Sequence, residues 1–273
     1  MTIYELAFFG ITFLLHIIGF LLVRYSFLFP PKKGLRVLMY HKILPDNPDG
    51  LTVTIDQFDH QLMYLKEKGY QTIDFKTMKA LINEGSPLPK KAIILTFDDA
   101  YLNFQQHALP LLKKYNFKAT VFVPVAYIGK TNIWDKGSDP LMSDADLKRL
   151  ALNEEVEIGL HSFLHRSYGD LAPEDMVADL KNCVESLSFY GIPFVRVLAY
   201  PYGGYPKKDA ELKRKMISVF QHSGLDFALR IGNNINSWPI RRPFEIKRID
   251  IKGTDSFFIF RIKVYKGRAK LFS

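Results

Sequence analysis

Two adjacent carboxylates, Asp98 and Asp99, end the short apolar run 92–97, which is rich in β-branched residues and reads as a buried strand. Acids placed side by side at a strand end repel each other unless a cation or a proton lies between them. Strand ends of this kind are also where α/β folds handle ligands. Taken alone, the pair could equally cap the helix that follows. Downstream, His161-Ser-Phe-Leu-His165 follows another short strand. Histidines four residues apart can turn one side of a helical turn towards a single ion. One carboxylate added to them makes a site with open positions, suited to zinc or a similar divalent metal. His41 stands at the end of the strand 35–40, and Tyr200-Pro201-Tyr202 at the end of the strand 194–200. By itself His41 reads as a strand-end histidine bonded to backbone.

These groups need a scaffold that brings strand ends together, and the chain supplies one. Apolar residues recur at helical spacing over 56–68, closed by Gly69. A strand at 71–74, a helix at 75–83 and the strand before Asp98 follow. The helix expected over 101–115 contains Pro110, which predicts a kink or a late start. Then come a strand at 118–123, an irregular stretch at 124–139 containing Trp134, and a helix capped by Ser143 with Asp146 three residues on. A strand at 155–159, a helix opened by Pro173, a helix at 207–220, and strands at 227–231 and 244–251 complete the series. Strand and helix alternate throughout, which predicts a parallel α/β sheet, open or closed into a barrel. In a closed barrel, every candidate group named above meets on one face.

The chain has 273 residues, 48% of them hydrophobic, and a net charge of +9. That length allows one large domain or two small ones, and the charge favours anionic neighbours such as phospholipid or an acidic glycan. Nucleic acid is not expected, because no RNP-like motif, zinc-finger spacing or basic helical block is present. The single cysteine, Cys183, excludes an internal disulfide and reads as a small buried hydrophobe. Residues 6–23 form an apolar run long enough to cross a bilayer. Glu5 precedes it, and Arg24, Tyr25, Phe27 and Phe29 follow. These flanks suit an uncleaved single-pass anchor better than a cleaved signal peptide. The aromatic residues would lie at the interface, and Pro30-Pro31 would stop the helix. Arg24, Lys32, Lys33 and Arg36 follow the span, so the positive-inside rule leans the remaining chain towards the cytoplasm, with the external side open. The organisation expected is an anchor and linker over 1–34 and a catalytic domain over 35–273.

Thr96-Phe-Asp-Asp-Ala-Tyr101 resembles the first motif of the NodB-homology polysaccharide deacetylases, carbohydrate esterase family 4. His161-Ser-Phe-Leu-His165 resembles their second motif and Tyr200-Pro-Tyr-Gly203 their third, and the similarity runs from about Val37 to Ile251. The resemblance implies a distorted (β/α) barrel and metal-dependent removal of an acyl group from an amino sugar. It implies Asp98 as catalytic base, Asp99, His161 and His165 as metal ligands with zinc the expected ion, and the Tyr202 amide, after Pro201, as oxyanion donor. Ala100 stands where the family usually has glycine, which is tolerable only if its φ is negative. The family's arginine three residues before the third-motif tyrosine is replaced by Ala199, and Arg196 lies three residues too early. No late Leu-x-His motif is present. Val37-Leu-Met-Tyr-His41, however, resembles the opening of a circularly permuted subgroup that includes poly-N-acetylglucosamine deacetylases, making His41 the candidate general acid ahead of His222.

Trp134 and Trp238 are candidates for sugar contacts, with core packing as the alternative for each. His60 and His107 read as surface residues. The segment 252–273 interleaves aromatic and basic residues. It reads either as a basic amphipathic tail on anionic lipid or as a last barrel helix with a solvated basic face. The expected substrate is an amino-sugar glycan or a lipid-linked saccharide. A deformylase, an O-deacetylase or a catalytically silent glycan-binding barrel are the competing functions.

Overall fold

The computed structural model describes residues 2–24, 33–135 and 137–269. In chain order the elements are α1 (Ile3–Arg24), β1 (Arg36–Tyr40), β2 (Lys42–Leu44), β3 (Thr52–Thr54), α2 (Ile55–Glu67), β4 (Gln71–Thr72) and α3 (Phe75–Asn83). They continue with β5 (Ala92–Phe97), α4 (Leu109–Tyr115), β6 (Ala119–Val123), α5 (Asp144–Leu150), β7 (Val156–Leu160) and α6 (Pro173–Phe189). The last are β8 (Val197–Ala199), α7 (Ala210–His222), β9 (Phe227–Ile231), β10 (Ile246–Asp250) and α8 (Phe257–Lys266).

Pairing runs β1-β10-β9-β8-β7-β6-β5, and β5 pairs back to β1, so parallel strands close into a (β/α) barrel. β4 adds to the start of β5 on the edge that β6 occupies further along. β2 and β3 form a separate parallel pair.

Side-chain alternation along each strand separates two cores. Leu38, Leu95, Val121, Ile158, Leu198 and Ile249 face outward and pack under the helices. Val37, Ile94, Phe122, Val197, Leu229 and Ile246 face inward and fill the barrel at the end where its strands begin. Phe75, the first residue of α3, closes that end, with its ring near Phe122 and Phe227. Gly159 is needed here. A Cβ on it would lie 2.5 Å from the Phe122 ring, so only glycine lets that ring sit beneath the site.

Several expectations are refined. Pro110 is accommodated by a π-helical turn at Phe104–Ala108, after which α4 begins; this is the late start that a missing N–H predicts. The helix expected from 207 begins at Ala210, because the Asp209 side chain accepts from the amides of Glu211 and Leu212. The expected strand 244–251 opens with a 3-10 turn at Pro243–Glu245. Ser143 and Asp146 form the expected capping box. The 252–269 segment is not a free tail. α8 lies back on the barrel with Phe260, Ile262 and Val264 buried, and Lys263 donates to Asp250 O and Asp255. α1 is long and apolar enough to cross a membrane, and none of it is buried. Tyr25, Phe27, Phe29 and Pro30-Pro31 lie outside the described residues, as do residues 270–273.

Candidate active site and metal centre

At the end where the strands finish, the inward positions change from apolar to ionisable. β5 carries Thr96 inward and continues to Asp98, β1 leads to His41, β7 to His161, and β10 carries Arg248. A cavity of about 310 Å³ opens between them, lined by His41, Asp98, Asp99, His161, His165 and Arg248, with Trp134 and Tyr202 also on its wall.

Asp99, His161 and His165 are all buried and offer ligand atoms within 4.8 Å of one another. Asp99 Oδ1 lies 3.4 Å from His161 Nε2 and 3.1 Å from His165 Nε2. His161 Nδ1 is 2.8 Å from Ala199 O, a pure acceptor, so Nδ1 carries the proton and Nε2 presents its lone pair to the cavity. Asp99 Oδ1 is buried without a hydrogen-bond donor in acceptable geometry, although two imidazole nitrogens point at it. Lone pairs converging on one buried point fit a divalent cation, and two imidazoles with one carboxylate fit zinc or a similar ion. Burial favours neutral His165 and depresses its pKa, whereas at His161 the effect of burial is outweighed by Asp98 and Asp99.

Asp98 lies beside this triad. Its Oδ2 is 3.9 Å from His161 Nε2 and 3.8 Å from His41 Nε2. Arg248 grips it with two bonds, Nη1 to Oδ1 at 2.5 Å and Nη2 to Oδ2 at 2.7 Å. Burial alone would raise the Asp98 carboxyl; the guanidinium, with His161, outweighs it and leaves the pKa below the usual carboxylate range. Arg248 comes from β10, whereas the arginine that the third motif lacks would have come from β8. Its signal in the sequence was the alternation of 246–250, which puts Ile246, Arg248 and Asp250 on the inward face.

The second motif is braced from behind. Asp179 on α6 accepts from Ser162 Oγ at 2.7 Å, Phe163 N at 2.9 Å and Tyr168 OH at 2.6 Å. Nothing in the spacing of α6 marked Asp179 beyond its being an acid on an otherwise buried face. Asp99, Ala100, Ser162, His165 and Tyr202, all in the three motifs, account for five of the nine described non-glycine residues with positive φ. Ala100, at φ 54°, is therefore strained where glycine would not be.

Trp134 stacks on His165, with centroids 4.1 Å apart and 21° between planes, and meets Tyr127 edge-on, so one of its faces is occupied by a candidate ligand. Its segment is tied to the barrel by Lys42–Asp139 at 2.9 Å and by Tyr101 OH to Asp135. Tyr202, at φ 57°, projects 61% exposed from the turn that the buried Pro201 begins, and its hydroxyl lies 3.2 Å from His165 Nδ1. Trp238 is not brought to the cavity. It packs against the inner core at the opposite end and donates to Ser86 O, ahead of β5. His222 stays exposed on α7, bonded to Ser218 O.

Comparison with known proteins agrees with this geometry. A profile of the polysaccharide deacetylase family matches residues 85–217. YxkH of Bacillus subtilis (strain 168) is 27% identical over 181 residues, which are 66% of this chain and 61% of that protein. The poly-beta-1,6-N-acetyl-D-glucosamine N-deacetylase of Staphylococcus epidermidis is 27% identical over 201 residues, covering 63% of this chain and 66% of that one. The chain thus spans just under two thirds of each relative. In three dimensions, IcaB from Ammonifex degensii superposes with a TM-score of 0.68 at 22% identity, covering 88% of this chain and 99% of IcaB, a likeness of fold. Barrel, motifs and family match coincide: the chain carries a polysaccharide deacetylase domain of the NodB-homology type.

Proposed function

We propose that the chain is a membrane-anchored, metal-dependent hydrolase that removes N-acetyl groups from an amino-sugar polymer. The observation that carries this reading is the meeting of Asp99, His161 and His165 within 4.8 Å beside a separate carboxylate, Asp98, that is clamped by Arg248. A zinc-type ion held by the triad would supply a Lewis acid, lowering the pKa of water towards ~7 and polarising the amide carbonyl. Asp98, kept ionised, takes the proton of the attacking water. His41, across the cavity at 3.8 Å from Asp98, gives a proton to the departing amine, which is otherwise too poor a leaving group. By the resemblance of the third motif, we assign the backbone N–H of Tyr202 the role of oxyanion donor. Arg248 gives Asp98 a guanidinium to hold it, which argues against a catalytically silent glycan-binding barrel.

The name of the staphylococcal relative makes poly-β-1,6-N-acetylglucosamine the first polymer to test. Acetate release from it should vanish with a chelator and return with zinc. Release that persists in the chelator would reject metal dependence, and none from any N-acetylated glycan would reject the activity. His41→Ala should bind metal normally and slow turnover by about 10²-fold or more; wild-type turnover would remove His41 as the acid. Cations after α1 favour the cytoplasmic side, whereas an exported polymer needs the external one. Protease accessibility of the barrel in sealed vesicles of known orientation decides between them.

A further inference from the structure

We propose that the groove between α2 and α8 seats the headgroups of anionic phospholipid, so that the barrel stands on its membrane by the end opposite its active site. The proposal rests on the membrane anchor proposed above. The groove encloses about 380 Å³ and is lined by Tyr64, Lys68, Tyr70, Lys91, Arg261 and Tyr265. It opens where β4 and β5 begin, at the far end of the strands from Asp98 and His41.

Its chemistry is that of a lipid–water boundary. Lys68 and Arg261 lie over the Tyr64 ring at 6.0 and 5.6 Å, and Lys91 over Tyr70 at 6.0 Å. Among the described residues, no carboxylate lies within ion-pairing distance of Lys68, Lys91 or Arg261, whereas lysines elsewhere on the barrel such as Lys79, Lys114, Lys181 and Lys215 have one. Their charges are therefore not neutralised within the protein, Lys91 Nζ donating only to the backbone carbonyl of Lys68, and can meet phosphate. Phe258 and Tyr265, on the lip formed by α8, are 50% and 48% exposed, which suits contact with the glycerol and upper acyl region. The floor is rigid. Buried Arg36 donates to Val264 O at 2.6 Å and stacks on Tyr70, fixing the last turn of α8 against the start of β1.

The occupant follows from connectivity and charge together. β1 begins at this same end, at Arg36, and α1 ends at Arg24. The residues between them can reach at most about 40 Å when fully extended. An inserted α1 therefore keeps the groove close to the bilayer surface, where lysine and arginine are drawn to anionic lipid. The opposite end lines its cavity with Asp98, Asp99, Asp135 and Asp250 against the cations Arg248 and Lys252, so it offers anionic lipid no comparable cluster of cations without carboxylate partners. With the base on the membrane, the mouth opens away from it, towards strands of polymer and not towards a short lipid-linked saccharide.

The chain's two tryptophans report on the two ends, Trp238 at the base and Trp134 at the mouth. Full-length Trp134→Phe and Trp238→Phe proteins are reconstituted in phosphatidylcholine vesicles with and without phosphatidylglycerol, each containing a trace of dansyl-labelled lipid. Energy transfer from Trp238 should exceed that from Trp134 severalfold, and only with phosphatidylglycerol. Adding Lys68→Glu, Lys91→Glu and Arg261→Glu to the Trp238 reporter should remove the excess. Equal transfer from both tryptophans, or Trp238 transfer indifferent to phosphatidylglycerol in the unreversed protein, would overturn the proposal without reference to how the triple variant folds. Alkaline carbonate extraction tests the anchor separately. A chain that is extracted but keeps lipid-dependent transfer discards the anchor and keeps the groove. A chain that is retained without such transfer discards the groove alone.

Discussion

The two ends of the barrel interior are built from opposite materials. Where the strands begin, inward positions hold Val37, Ile94, Phe122, Val197 and Leu229, closed by Phe75. Where they end, the same alternation delivers Asp98, Arg248 and His161, buried as deeply. The apolar end gains free energy from every methylene removed from water. The polar end must offset the desolvation of each charge with a partner, and it also holds most of the left-handed residues outside glycine. Stability should therefore reside at one end and chemistry at the other, with little cost shared between them.

The sharpest test of that division is Asp98→Asn, a nearly isosteric change. Turnover should fall by about 10³-fold or more while metal stoichiometry, measured by atomic emission, stays at the wild-type value. Loss of metal would instead make Asp98 a ligand and Asp99 the base. Arg248→Met crosses the division, because it leaves a carboxylate buried without its counter-charge. It should cost about 3–5 kcal/mol in chemical denaturation. Since Arg248 holds the Asp98 pKa down, its loss should raise that pKa and carry the acid limb of the kcat/KM profile to higher pH. An acid limb that stays in place would detach Arg248 from the base.

Ile94→Ala probes the other end. It should destabilise the fold by about 2–5 kcal/mol, yet leave kcat and metal affinity within twofold. A large fall in either would show that the inner core props up the site and that the ends are not independent. The smallest effect is expected at Ala100→Gly. Relief of the left-handed backbone, about 1 kcal/mol, opposes the loss of a buried methyl group of similar worth. The melting temperature should barely move, and a drop of many degrees would mean that the methyl packing outweighs the strain.

Much of this division was legible in the residues. Runs such as 92–97 and 119–123 announced buried strands, and the position of Asp98, His161 and His41 just past strand ends was enough to group them before any geometry was known. Arg248 was not legible because it lies 150 residues from Asp98 and no motif joins the two. Barrel closure makes β10 a neighbour of β1, and local spacing does not reveal which distant strand supplies a charge. Asp179 was missed for the same reason, being joined to the second motif only through folding. Trp134 and Trp238 looked alike in sequence because both are aromatic residues in irregular stretches. The direction in which each loop crosses the barrel sent them to opposite ends.

The seam of the barrel has a further consequence. β1 is enclosed between β5 and β10, so the barrel's first strand finds its second neighbour only when residues 246–250 have been made. Until then the ring stays open, and Asp98 has no guanidinium to hold it. A nascent domain can thus assemble most of its strands while the proposed base is still unclamped, and the cavity is completed only when the two ends of the domain zip together.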